Sequence, residues 1–209
     1  MIKKITLITV STLFFFGCSS KNNVTHSENL TALNWHYKIH KDIEDSNLDQ
    51  ADEDFLSLQA EHPSSIYIKI DLLSLYLAHQ QNKEYDLALF YLSEYEKRYS
   101  SIEEIPWIEY QKIKMNFLKY DTPFTNQKML LDIITMCDNY LKKYPNSSYA
   151  PEVSTILAKA ELTNKYLNAK ISRLYKKLDK PKASKLYETK IPSNSKPPVI
   201  PWYKKLFYW

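Results

Sequence analysis

The sequence predicts an all-α protein, built as a right-handed solenoid of antiparallel helical hairpins. Apolar residues recur at intervals of three and four from Asn29 to Ile191, with charged residues between them, which is typical of amphipathic helices. The only glycine among the 209 residues is Gly17. Tight β-hairpin turns favour glycine, whereas helices joined by short turns can be built without it, so an all-β fold is disfavoured.

The N-terminus has the three parts of a secretory signal peptide, which we place at residues 1–17. Two lysines are followed by an apolar stretch, Ile5–Phe16, and then by Gly17. The stretch is too short to cross a bilayer, which takes about 20 residues. The pair Gly17-Cys18 resembles the lipobox of bacterial lipoproteins. That resemblance implies a diacylglycerol on Cys18, cleavage before it, and an N-acyl chain such as palmitate. The alternative is a signal peptide in which Cys18 is incidental.

The remaining chain divides into three parts. Residues 18–28 are polar and unpatterned, which predicts a flexible tether behind the lipidated Cys18. Residues 29–192 carry the helical pattern, and residues 193–209 form a Pro-rich linker with an aromatic, basic tail. Breaks near residues 45–47, 62–64, 81–83, 100–101, 121–125, 145–147 and 179–181 separate the predicted helices. The stretch from Pro151 to Leu178 predicts one long helix.

Several helices end on a shared template. Its members are Ala51, Phe55, Leu58 and His62, then Ala88, Leu92, Tyr95 and Tyr99, then Ile133, Cys137, Tyr140 and Tyr144. Pro or Ser follows each copy and ends the helix, and the Ser or Asn after it can cap the next helix. A weaker copy begins at Ala183, and an insertion around Tyr120–Asn126 lengthens one repeat. Two-helix repeats of this length predict about four divergent tetratricopeptide-like (TPR-like) units.

Composition excludes several classes of function. Without glycine after residue 17, the chain has no place for Walker or Rossmann phosphate loops or for the nucleophile elbow of α/β hydrolases. The net charge is +4, two units of which lie in the predicted signal peptide, so a nucleic-acid partner is disfavoured. No Ser/His/Asp or Cys/His constellation can be assembled, and we predict no catalytic residues and no enzyme activity.

Isolated polar residues receive structural interpretations. His36 and His40 share a helix face, but the sequence indicates no third ligand, so no metal and no cofactor are predicted. Cys137 aligns with apolar residues of the template and is expected to pack in the core. The acidic clusters Asp52–Asp54 and Glu103–Glu104 are expected to lie on solvated helix faces.

Two groups of aromatic residues are candidates for binding. The stripe Tyr85, Tyr91, Tyr95 and Tyr99 is predicted to be mostly core, with some rings lining a groove. In the tail, Trp202, Tyr203, Phe207 and Trp209 cannot bury one another, and they suit a partner pocket or a membrane interface. The alternative is that they cap the last repeat.

The stretch from Tyr140 to Pro151, YLKKYPNSSYAP, is similar to the inter-repeat signature of the BamD family. With the lipobox, tether and repeats, the chain resembles a divergent ε-proteobacterial-type member of that family of TPR lipoproteins. The resemblance implies a scaffold of the β-barrel assembly machinery, lipid-anchored on the periplasmic face of the outer membrane. It implies a BamA-like barrel protein, other machinery subunits and unfolded outer-membrane proteins as partners. The alternatives are a TPR lipoprotein scaffold for cell division or peptidoglycan synthesis, and a lipoprotein enzyme.

Overall fold

The computed structural model describes residues 30–120 and 126–190. These residues form helices and no strands. The α-helices are α1 (Ala32–Glu44), α2 (Leu48–Glu61), α3 (Tyr67–Gln81), α4 (Tyr85–Tyr99), α5 (Ile105–Lys119), α6 (Gln127–Lys143), α7 (Ala150–Lys177) and α8 (Pro181–Thr189). A short 3₁₀ turn, Ile102–Glu104, precedes α5.

The helices pair in chain order as four hairpins: α1 with α2, α3 with α4, α5 with α6, and α7 with α8. Adjacent hairpins then stack, because α3 also contacts α1 and α2, and α5 also contacts α4 and α7. In a repeat array, each repeat contacts only the repeats that precede and follow it in the chain. The all-α, TPR-like arrangement of about four hairpins is therefore confirmed, as is the single long helix α7.

The repeated template is the core of the array. Nine of its side chains are at most 2% exposed: Ala51, Phe55, Leu58, Ala88, Leu92, Tyr95, Ile133, Cys137 and Tyr140. They fall on α2, α4 and α6, the second helix of each of the first three hairpins. The terminal members His62, Tyr99 and Tyr144 are only half-buried. Cys137 packs as expected, and its burial raises the pKa of the thiol to about 11.

Three of the hairpin turns contain a non-glycine residue with positive φ: Ser46 at 59°, Lys83 at 65° and Asp179 at 53°. Each turn has the two hydrogen bonds of a Schellman motif; around Lys83 they run from Lys83 N to Gln80 O at 3.2 Å and from Glu84 N to His79 O at 2.9 Å. Glycine is the usual residue at this position. The chain thus makes its turns without glycine by accepting left-handed backbone at other residues. The predicted insertion falls in the remaining hairpin, between Lys119 and Gln127.

The turns between hairpins follow the aromatic-Pro template. In the turn before α7, Ser147 N donates to Tyr144 O at 3.1 Å, and the Ser147 hydroxyl accepts from Tyr149 N at 3.2 Å. The turn before α3 has the same pair of bonds, made by Ser65 with His62 O and Tyr67 N. Similar sequence patterns therefore produce matching corners. The prediction that the Ser caps the next helix is wrong here, because the N-cap residues are Ile66 before α3 and Tyr149 before α7, and each Ser shapes the turn from one or two positions earlier.

Helix α7 is 28 residues long, about 42 Å, and its two halves differ. The N-terminal half packs on α6 through Val153, Ile156 and Ala160, in a cluster that includes Cys137 and Tyr140. The C-terminal half faces α8, and its buried residues include Asn168 and Ser172. The Ser172 hydroxyl lies 3.0 Å from the hydroxyl of Ser184 on α8 and donates to Glu188 at 3.2 Å.

Candidate interaction surface

Tyr140 fixes the junction between the third and fourth hairpins. Its ring is 1% exposed, and its hydroxyl donates to Pro106 O at 3.1 Å. The same hydroxyl lies 2.9 Å from the hydroxyl of Ser147 in the following turn. Burial is the main cause of a raised pKa at Tyr140. One side chain on α6 thereby joins the start of α5 to the turn that leads into α7.

Tyr144 lies one turn further along and faces the surface. Its hydroxyl donates to Glu109 Oε1 at 3.0 Å, and Lys143 Nζ binds the same oxygen at 2.7 Å. The Lys143 ammonium also lies 4.9 Å from the centroid of the Tyr144 ring. The ring is therefore held in place while it remains half-buried.

These tyrosines border a cavity of about 840 Å³ at the junction of the second, third and fourth hairpins. Its lining combines four aromatic rings with acidic, basic and hydroxyl groups. The lining residues are Leu73, Tyr95, Glu103, Glu104, Pro106, Trp107, Lys143, Tyr144, Pro145, Asn146, Ser147, Ser148 and Tyr149. Aromatic rings beside charges of both signs suit a polypeptide segment, which offers both apolar side chains and hydrogen-bonding backbone. The inter-repeat signature of the sequence thus forms one wall of the candidate site.

An exposed apolar stripe on α3 leads to this cavity. Ile66, Ile70 and Leu77 are 74%, 46% and 50% exposed and share one helix face with the half-buried Leu73. Leu73 lines the cavity together with Trp107 of α5. The stripe and the cavity form a continuous candidate interaction surface, which we call the α3–α5 surface.

Two tyrosines of the α4 stripe belong to the core as predicted, and the other two, Tyr85 and Tyr99, are half-buried. Tyr91 and Tyr95 are 4% and 1% exposed, and Tyr95 also lines the cavity. The Tyr95 hydroxyl donates to Glu104 Oε1 at 2.7 Å. Glu104 also accepts from the backbone of Ser101, which completes a capping box before α5. The prediction that Glu104 belongs to a purely solvated face is therefore wrong.

A second polar network was also missed by sequence reasoning. His79 is fully buried on α3, and its ring nitrogens lie 2.9 Å from Asp52 Oδ1 and 2.6 Å from Glu84 Oε2. Tyr91 stacks on the His79 ring and donates to Asp52 at 2.5 Å. Burial alone would lower the pKa of His79, but the hydrogen bonds and charges of the two carboxylates outweigh it, so the pKa is raised. Asp52, expected on a solvated face, instead links the first hairpin to the second.

A third potential metal ligand lies beside His36 and His40. Asp71, on α3 and fully buried, accepts at 2.6 Å from His36 Nδ1 and at 3.1 Å from His40 Nε2. The prediction that these two histidines have no third ligand nearby is therefore wrong. Asp71 shares a helix face with the buried Ile68, Leu72 and Leu75, and an acidic residue at an apolar register is the signal that could have revealed it.

The residues predicted for lipidation and for partner binding lie outside the described residues. These are Cys18 in the N-terminal segment, and Trp202, Tyr203, Phe207 and Trp209 in the tail. The lipid on Cys18 and the role of the tail stay predictions. Of the helices that the structure describes, none is both long and apolar enough to cross a membrane.

The stacked helical hairpins define a helical-repeat protein of the tetratricopeptide-like class. Residues 31–184 match the YfiO family model, described as outer membrane lipoprotein. The outer membrane protein assembly factor BamD of Helicobacter pylori is 32% identical over 199 residues, which are 92% of this chain and 90% of that protein. The chain belongs to the YfiO/BamD family of outer membrane lipoproteins.

Proposed function

We propose that this protein is a scaffold of the machinery that assembles β-barrel proteins in the outer membrane. The observation that carries the proposal is the similarity to a protein named as an outer membrane protein assembly factor, which extends over 92% of the chain. Because the family match spans residues 31–184, it includes the three junctions between the four hairpins and the α3–α5 surface. Cell division and peptidoglycan synthesis have no comparable support.

The proposed position is the periplasmic face of the outer membrane, with the anchor at Cys18. The family description as an outer membrane lipoprotein supports this position. The sequence supports it as well, through the apolar stretch, Gly17 and Cys18. Residues 18–28 then act as a tether that leaves the helical array free to reach its partners.

The proposed partners are a BamA-like barrel protein, other subunits of the machinery, and unfolded outer-membrane proteins. An unfolded barrel strand alternates apolar and polar side chains. The α3–α5 surface offers an apolar stripe for the apolar side chains of such a strand, and charged and hydroxyl groups for its polar side chains. Contacts with nucleic acid are not part of the proposal.

The role is that of a scaffold without catalytic activity. Cys137 is the thiol within the described part of the chain, and its full burial and raised pKa keep it protonated and unreactive. The histidine clusters are paired with carboxylates that contact neighbouring helices, an arrangement that joins hairpins. Binding, rather than bond making, is what these residues support.

Photo-crosslinking in cells tests the proposal. A photoreactive residue placed at Ile70 or Leu77, on the α3–α5 surface, should crosslink the barrel subunit or newly made outer-membrane proteins. The same residue at Leu174 of α7, which is similarly exposed, is the matched control and should give much weaker crosslinks. If the crosslinked proteins are only those of cell division or peptidoglycan synthesis, the proposal is wrong and the alternative function is favoured.

A further inference from the structure

Three metal-ligating side chains converge between the first two hairpins. His36 and His40 lie one turn apart on α1, and Asp71 reaches them from α3. One ligand atom from each lies within 4.8 Å of the others. We propose that His36, His40 and Asp71 form a binding site for a divalent transition metal of the zinc class, which clasps α1 to α3.

The donor set favours zinc over calcium or magnesium. Two imidazoles and one carboxylate are ligands that zinc accepts, whereas calcium and magnesium take mainly oxygen ligands. Three protein ligands leave a fourth tetrahedral position for water. In a tetrahedral site with bonds of about 2.0–2.1 Å, ligand atoms are about 3.3 Å apart. The separation of 3.1 Å between His40 Nε2 and Asp71 Oδ1 is close to that value. The 2.6 Å separation between His36 Nδ1 and Asp71 Oδ1 is a direct hydrogen bond, and these two atoms would have to move apart by about 0.7 Å when an ion binds.

An independent observation at Asp71 also points to a cation. Its side chain is fully buried, and both histidines bind the same oxygen, Oδ1. The other oxygen, Oδ2, has no hydrogen-bond partner among the described residues. A buried carboxylate oxygen without a partner is costly, whereas a bound cation offers it a ligand position and balances its charge.

The surroundings suit a site that can be loaded from solution. The Tyr67 ring stacks on His36 with centroids 4.6 Å apart, which restricts the orientation of the imidazole. The side chains of His36 and His40 are 16% and 37% exposed, so an ion and a water ligand can enter from the surface. Because the ligands come from two hairpins, binding would strengthen the first junction of the array.

Zinc titration of the full chain, purified in detergent and stripped of metal with a chelator, tests the site. We expect one equivalent of Zn²⁺ to bind. At a free concentration of about 100 times the Kd, the melting temperature should rise by about 5–10 °C. In His40→Gln the rise should be lost, whereas the matched control His62→Gln should keep it. Each variant is compared with its own metal-free form, so a change in basal stability does not affect the result.

A cobalt spectrum supplies a second measurement on the unmutated chain. Co²⁺ in the site should give the intense visible bands of a tetrahedral ion without thiolate charge-transfer bands, since no cysteine is a ligand. Thiolate bands would assign the metal to a cysteine and overturn the proposal. It is equally overturned if zinc leaves the melting temperature unchanged, or if His40→Gln responds as the unmutated chain does. None of these outcomes bears on the assembly function.

Discussion

Replacing Tyr140 by Phe should weaken the junction between the third and fourth hairpins. The ring would remain in its buried position, so the change removes the hydroxyl alone. That hydroxyl bonds Pro106 O and the Ser147 hydroxyl. A hydrogen bond contributes about 0.5–1.5 kcal/mol net, so we expect a loss of about 1–2 kcal/mol in the free energy of unfolding. For a chain of this size the melting temperature should fall by about 2–8 °C.

Tyr144→Phe is the matched control, because it removes a hydroxyl from the neighbouring tyrosine of the same helix end. The bond lost there is to Glu109, which keeps Lys143 as a partner at the surface. We expect a change within about 0.5 kcal/mol. Thermal unfolding followed by circular dichroism measures both variants. Equal losses in the two, or a larger loss for Tyr144→Phe, would refute the assignment of Tyr140 as the buried anchor.

The remaining predictions concern the turns, the buried histidine, the anchor and the tail. Lys83→Gly should relieve the left-handed backbone and stabilise the fold by about 0.5–1 kcal/mol, whereas Lys97→Gly, exposed within α4, should cost about 1 kcal/mol in thermal unfolding. Because the folded state raises the pKa of His79, its stabilising contribution is complete below about pH 6.5 and should be lost as the pH rises through the folded value. Denaturant titrations over this pH range should show that the free energy of unfolding decreases less with rising pH in His79→Gln than in the unmutated chain. An equal decrease in both proteins contradicts the pairing of His79 with its two carboxylates. Cys18→Ala should release the protein from membranes, and mass spectrometry of the native N-terminus should find the acyl chains; an unmodified Cys18 contradicts lipidation. Deleting residues 201–209 should leave the melting temperature unchanged but weaken recovery of partners, whereas a lower melting temperature would identify the tail as a cap.

The helix ends and the core template could be predicted from the sequence because both depend on local chemistry. Pro ends helices, and Ser shapes the turns that follow through bonds within a few residues, as at Ser147. Within each of α2, α4 and α6, the template residues recur three and four positions apart, and this spacing identifies the helix face that is buried. Phe55, Leu92 and Cys137 are the equivalent residues on that face. Each of these features acts within one helix or one turn, so no knowledge of neighbouring hairpins is needed.

The polar networks could not be predicted in the same way, because they depend on which helices meet. Helix α3 contacts α1, α2 and α4, so it buries residues on several faces and has no single apolar stripe to reveal its orientation. Asp71 and His79 are buried on two of these sides and take their partners from α1 and α2. The pattern of helix α2 alone predicts that Asp52 is exposed to solvent. Its hydrogen bonds to His79 and Tyr91 form only when the second hairpin packs against α2.

The contrast between the two halves of α7 sets the order in which the array should open. Its first half packs into the apolar cluster on α6, whereas its second half meets α8 through the buried Ser172 and Ser184, whose burial removes little apolar surface from water. The stacked rings of Tyr175 and Tyr187, which also join α7 to α8, are only half-buried. The last hairpin should therefore exchange its amide hydrogens fastest and detach before the others do. The aromatic residues of the tail are joined to the array through the Pro-rich linker and α8, so a force that a bound partner exerts on the tail would reach the last hairpin before any other.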